Sequence, residues 1–185
     1  MKLVLLGAPG SGKGTQATIL AENIGVPSVS TGEMLRQAVA AGTPLGTKVE
    51  AIMSTGELVD DVTMAAVVRE RLAQEDVLGG FILDGYPRTQ GQAGTLETIL
   101  DEMGWSLDAV VHIEVPEAEL IQRALARKRA DDQEEVIRQR LQVYKRQTQP
   151  LIEHYRAAGL LFVVDGNQTI DEVAQGVIVA LEVAS

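Results

Sequence analysis

The chain has 185 residues, 45% of them hydrophobic, and carries 16 Lys+Arg against 26 Asp+Glu for a net charge of −10. That length builds one core, so a single globular domain is expected. A pI near 4.7 excludes a general nucleic-acid binder, which needs a broad basic face. Zero cysteines exclude disulfides, thiol catalysis and a Cys-based zinc site, and fit a reducing cytosol. Gly7 and Pro9 break the apolar run that follows Met1 and Lys2, and no other stretch is apolar for long enough to cross a bilayer. The expectation is a soluble cytoplasmic protein without a membrane or nucleic-acid partner.

In chain order, "KLVLLG" (residues 2–7), "GFILDG" (80–85), "DAVVHIEV" (108–115) and "LLFVVDG" (160–166) are short apolar runs ending at or near glycine or acid. Such runs suit strands of a parallel sheet buried on both faces. Helical patterns fall between them at 13–24, 31–41, 61–74, 89–103, 116–127, 132–155 and 169–183, with Pro150 expected to kink or end a turn. Strands alternating with helices predict an α/β, three-layer, doubly wound parallel sheet covered by helices on both faces. Ligands of such sheets sit at the carboxyl ends of the strands. The turn-rich stretches "AAGTPLG" and "STGELVD" around short helices mark an insertion, read as a movable flap over residues 30–59.

"GAPGSGKGT", Gly7 to Thr15, follows the first strand and opens the first helix. That is the setting of a phosphate-binding loop, in which successive N–H groups wrap an anion and Lys13 reaches the outer phosphates. Where the strict pattern wants a magnesium-binding Ser or Thr, Gly14 stands, with Thr15 one residue later. Magnesium is then expected on phosphate oxygens and waters, ordered by Asp84 at the end of "FILD". No Asn-Lys-x-Asp guanine reader occurs, and Gly85 rather than a water-activating glutamate follows Asp84. Transfer of the phosphate is expected, rather than hydrolysis.

Half of the Lys+Arg residues, eight of 16, lie between Arg123 and Arg146. A solvated helix face explains some of them, since Glu119 and Arg123, Arg127 and Asp131, and Glu134 and Arg138 are each spaced by four. Arg140 has no carboxylate three or four residues away and flanks the apolar stripe of Ile137, Leu141 and Tyr144. Guanidinium forks bind phosphate bidentately, so Arg123, Arg127, Arg129 and Arg140 can cap a polyphosphate that Lys13, Arg36 and Arg88 hold from the other side. Ser30 and Glu33 fit a capping box that would leave Arg36 unneutralised. His112 reads as a core histidine and His154 as an exposed one, so no general base is evident. A kinase acting on a hydroxyl needs such a base, whereas a monophosphate acceptor is already an oxyanion.

Gly7 to Gln16, "STGEMLR" (30–36), "LDGYPRTQGQ" (83–92), "RKRADD" (127–132) and "VIRQRLQVYKRQTQPLIEHY" (136–155), in this order, resemble adenylate kinase, a P-loop nucleoside monophosphate kinase, in its short-lid form. The resemblance spans residues 1 to about 183. It implies one kinase domain with a core of 1–29, 60–126 and 133–185, a monophosphate-binding flap at 30–59 and a short lid at 127–132. It also implies Mg²⁺-dependent conversion of ATP and AMP to two ADP, no structural zinc, and a monomer. Gly10, Ser11, Gly12, Lys13, Gly14 and Thr15, with Arg123, Arg127 and Gln168, correspond to the ATP site. Thr31, Arg36, Glu57, Leu58, Val59, Gly85, Arg88 and Gln92, with Arg129 and Arg140, correspond to the AMP site. Lys13, Arg88, Arg129 and Arg140 correspond to the groups that stabilise transfer. Ala126, Gln168 and Glu57 depart from the family's more frequent Gly, Lys and Lys. UMP/CMP kinase is the related alternative, and a nucleotide-sensing module the non-enzymatic one.

Overall fold

The computed structural model describes residues 1–127 and 133–184. Five parallel strands, β1 (Lys2–Leu6), β2 (Ser28–Ser30), β3 (Phe81–Asp84), β4 (Ala109–Glu114) and β5 (Leu161–Asp165), are ordered β2-β3-β1-β4-β5. In the middle of the sheet, Leu3 lies between Ile82 of β3 and Ala109 of β4. Alternation along β1 splits the core in two. Leu3 and Leu5 pack with Ala17 and Leu20 of α1 (Lys13–Ile24) and with Val173, Val177 and Leu181 of α9 (Ile170–Ala184). Val4 and Leu6 face the opposite layer, where α4 (Asp61–Leu72), α5 (Gln90–Glu102) and α8 (Pro150–Ala157) supply Met64, Leu96, Leu151 and Tyr155. This is the three-layer arrangement that the apolar runs predict.

The remaining helices surround the carboxyl ends of the strands. α2 (Thr31–Ala40) and α3 (Pro44–Thr55) form the inserted segment, while α6 (Glu117–Ala126) and α7 (Glu134–Val143) share a small core of Leu120, Ala124, Ile137 and Leu141. The helical pattern expected over 132–155 is interrupted. α7 passes into a π-helical turn, Tyr144–Thr148, before α8 starts at Pro150. Proline has no N–H and its ring clashes with the carbonyl four residues back, so the preceding turn widens and Gln149 N–H reaches Tyr144 O instead, at 2.9 Å.

At the other end of the sheet, Trp105 lies 6.2 Å from the Phe81 ring, and Lys2 Nζ stands 5.2 Å above its centroid. Among the described residues, no helix is long and apolar enough to cross a membrane.

Asp60 caps α4. Its carboxylate accepts from Thr63 N–H at 2.8 Å and from the Thr63 hydroxyl at 2.7 Å. These two bonds, the hydroxyl first, hold its pKa at about 2 against the ordinary 3.8. A depressed acid stabilises fully above its unfolded pKa and loses that contribution as pH falls through its folded one. The melting-temperature gap between the native protein and Asp60→Ala is therefore expected to be constant above about pH 4 and to narrow towards pH 2. A gap that does not change with pH would remove the carboxylate from this role.

Candidate functional site

The loop from Gly7 to Gly12 leaves β1 and runs straight into α1. Gly10 takes φ +91, and a Cβ there would stand 2.4 Å from Leu120 O, so only glycine lets the loop lie against α6. Lys13 folds back over the loop, donating to Gly7 O at 2.6 Å and Ala8 O at 3.0 Å. The buried Ser11 hydroxyl has no hydrogen-bond partner among the described residues.

Across from this loop, β3 ends at Asp84, whose carboxylate accepts from the Ser30 hydroxyl at 3.2 Å and lies 3.7 Å from where a Gly14 Cβ would be. Gly85, at φ +82, leaves room that a side chain would fill, since its Cβ would meet Arg88 Nη2 at 2.9 Å and Thr31 Oγ1 at 3.0 Å. Arg88 occupies that room, its Nε donating to Gly85 O at 2.7 Å. The Thr148 hydroxyl, from the π-helical turn, donates to Arg88 O at 2.8 Å and holds the loop from below.

Arg36 converges on the same point. A Cβ on Gly32 would lie 3.3 Å from Arg36 Nη1 and 3.6 Å from Arg88 Nη2. Arg140 arrives from α7, its side chain packed under the turn at Gly56. Burial first pushes the Arg88 pKa down, Asp84 partly offsets this, and the charges of Arg140 and Arg36 push it down further. Gathering like charges in a half-buried place is costly without an anion to neutralise them.

These elements enclose one cleft of about 890 Å³ at the carboxyl ends of the strands. Lining it are all the described site residues that the sequence predicts: 10–15 of the loop, Arg123, Arg127 and Gln168; Thr31, Arg36, Glu57, Leu58 and Val59; and Asp84, Gly85, Arg88, Gln92 and Arg140. Arg129 lies outside the described residues, as do the Arg127–Asp131 spacing and the lid beyond Arg127.

Several local readings change. Ser30 stands at the N-cap of α2 without a side-chain capping bond, because its hydroxyl is directed at Asp84, so the Ser30–Glu33 box does not form. Arg36 lines the cleft all the same, its guanidinium lying over Gly32. Arg123 lines the cleft but also pairs with Glu119 at 2.7 Å and donates to Gly166 O at 2.9 Å, tying α6 to the loop that carries Gln168. Arg138 pairs with Glu134 at 2.7 Å as a solvated helix face predicts. His154 is half-buried and meets Glu97 at 3.1 Å, rather than standing exposed. His112 is a core residue as expected, 3.2 Å from the Tyr144 hydroxyl, and burial pushes its pKa down. Among the described residues no cluster of three or more His, Cys, Asp or Glu could cage a metal.

Comparison with known proteins decides the family. The family described as "Adenylate kinase" matches residues 5–160. The chain belongs to the adenylate kinase family. It is 48% identical over 185 residues to "Adenylate kinase" of Xylella fastidiosa (strain 9a5c), covering 98% of this chain and 99% of that one. "Adenylate kinase 1" of Synechocystis sp. is 48% identical over 172 residues, covering 93% of this chain and 92% of the relative. "Adenylate kinase" of Thermodesulfovibrio yellowstonii is 43% identical over 213 residues, covering 98% and 99%.

Proposed function

We propose that the protein reversibly transfers the terminal phosphoryl group of ATP to AMP, giving two ADP. The convergence of Arg36, Arg88 and Arg140 in the cleft that the Lys13 loop also lines carries this reading. An AMP phosphate oxygen attacks the terminal phosphorus of ATP in line, and the bond from that phosphorus to the bridging oxygen of the departing ADP breaks. The nucleophile is already ionised, so no proton has to move and no base is needed; the buried His112 is not required for one. Catalysis then rests on positioning and on positive charge around the equatorial oxygens.

Lys13 and the N–H groups of residues 10–15 hold the ATP phosphates, Arg123 and Arg127 cap them from the lid side, and Gln168 lies beside the adenine. Thr31, Arg36, Gln92 and the backbone of residues 57–59 hold AMP, and Arg88, Arg129 and Arg140 bind the group in transit. Residues 30–59 and 127–132 act as flap and lid. The Asp84 carboxylate beside Gly14, with the Ser30 hydroxyl bonded to it, is a hard oxygen group suited to order the water shell of a magnesium ion carried in on ATP. That ion would neutralise charge on the phosphates. The protein acts as a cytoplasmic monomer.

The test is ADP formation from ATP offered with AMP, CMP, UMP or GMP in turn, with and without EDTA. Fast turnover with AMP alone, abolished by EDTA, is expected. A preference for CMP or UMP would overturn the base assignment, and nucleotide binding without turnover would make the protein a sensor.

A further inference from the structure

We propose that Asp61, which does not line the cleft, sets the base preference of the monophosphate site by fixing the orientation of the Gln92 amide. This rests on reading Gln92 as the residue that meets the base.

The Gln92 side chain is buried, with 2% of the residue exposed, and its amide is held at both ends. Oε1 accepts the backbone N–H of Arg88 at 2.8 Å, and Nε2 donates to Asp61 Oδ1 at 2.9 Å. A backbone N–H can only donate and an ionised carboxylate can only accept, so the two partners together dictate which end of the amide is oxygen. Asp61 is itself held in place. The Thr89 hydroxyl lies 3.2 Å from each of its oxygens and accepts the Gln92 N–H at 3.1 Å, which sets the carboxylate over the first turn of α5. Gly91 permits this approach, because a Cβ there would stand 2.7 Å from Asp61 Oδ2.

After these bonds the amide has one lone pair on Oε1 and one N–H on Nε2 left, and Gln92 lines the cleft. That pair complements an exocyclic amine next to an unprotonated ring nitrogen, as on adenine. Bases with an oxo group beside a ring N–H present the reverse order and meet acceptor with acceptor and donor with donor. An amide free to turn over would take either edge. With Asp61 in place, turning it over would leave the carboxylate facing the amide oxygen and the Arg88 N–H facing the amide nitrogen.

The experiment compares kcat/KM for AMP and for inosine monophosphate, which differ only in the amine and ring nitrogen concerned. It uses the native protein, Asp61→Leu, Asp61→Asn, Gly91→Ala and Gln92→Leu. Asp61→Leu is expected to lower the AMP:IMP ratio by ~10-fold or more, the scale of one lost pair in base discrimination. Asp61→Asn keeps a carbonyl acceptor and should retain most of the ratio. Gly91→Ala displaces the carboxylate without altering it, and should move the ratio in the same direction as Asp61→Leu. If Asp61→Leu and Gly91→Ala slow both substrates equally, Asp61 is merely structural and the proposal fails. If Gln92→Leu lowers the ratio while Asp61→Leu does not, the proposal fails and Gln92 remains the base reader. A ratio unmoved by Gln92→Leu overturns both.

Discussion

Arg88→Ala is expected to cut kcat by ~10²-fold or more while the protein stays folded, the scale of losing one preorganised donor from a charged transition state. The fold should survive because the loop does not depend on the side chain. Its backbone is held by the Thr148 hydroxyl on Arg88 O at 2.8 Å and by Gln92 on Arg88 N–H. The guanidinium is moreover disfavoured where it stands, since burial and its two arginine neighbours all push its pKa down. Removing it relieves repulsion, so the melting temperature should hold or rise. Arg88→Lys restores charge but not the fork that binds two oxygens, and should recover only part of the rate. Turnover of Arg88→Ala within a few-fold of native would take this residue out of the transfer step.

Lys13→Ala is expected to be at least as damaging, lowering kcat by ~10²- to 10³-fold. Its effect should divide differently between the substrates. Lys13 stands on the loop that opens α1, with its Nζ against Gly7 O and Ala8 O, whereas Arg36 and Arg88 enter the same cleft from α2 and from the loop after β3. Its loss should raise KM for ATP and leave KM for AMP nearly unchanged, whereas Arg88→Ala should do the opposite. Initial rates with one substrate saturating and the other varied measure both. If Lys13→Ala weakened AMP alone, the two halves of the cleft would have been assigned the wrong way round.

What could be read from the sequence was whatever depends on neighbours in the chain. Four of the five strands announce themselves as apolar runs, and the loop at residues 7–15 is legible because glycines, lysine and helix start are fixed in register. β2 was not foreseen. It has only three residues, "SVS", too few for any periodicity, and pairs at the sheet edge with β3.

Polar side chains that choose a distant partner over a near one were equally hidden. Ser30 has the spacing of a capping box, yet its hydroxyl bonds Asp84, 54 positions away. Thr148 supports Arg88 across 60 positions, and Asp61 reaches Gln92 across 31. Nothing local marks these residues, because their role arises only when strands and helices meet at the sheet's edge. Spacing by four is enough to foresee the pair of Arg138 with Glu134, but spacing alone does not show that Arg123 both pairs with Glu119 and braces the loop at Gly166.

The chain contains a single tryptophan. Trp105 packs against Phe81 and Lys2, the first residues of β3 and β1, so it lies at the amino ends of the strands while the cleft opens at their carboxyl ends. Its emission therefore reports whether the sheet is assembled and is insulated from which nucleotide is present. Fluorescence melts of every variant can be run with and without substrates on one optical baseline, which separates loss of folding from loss of occupancy without attaching a dye.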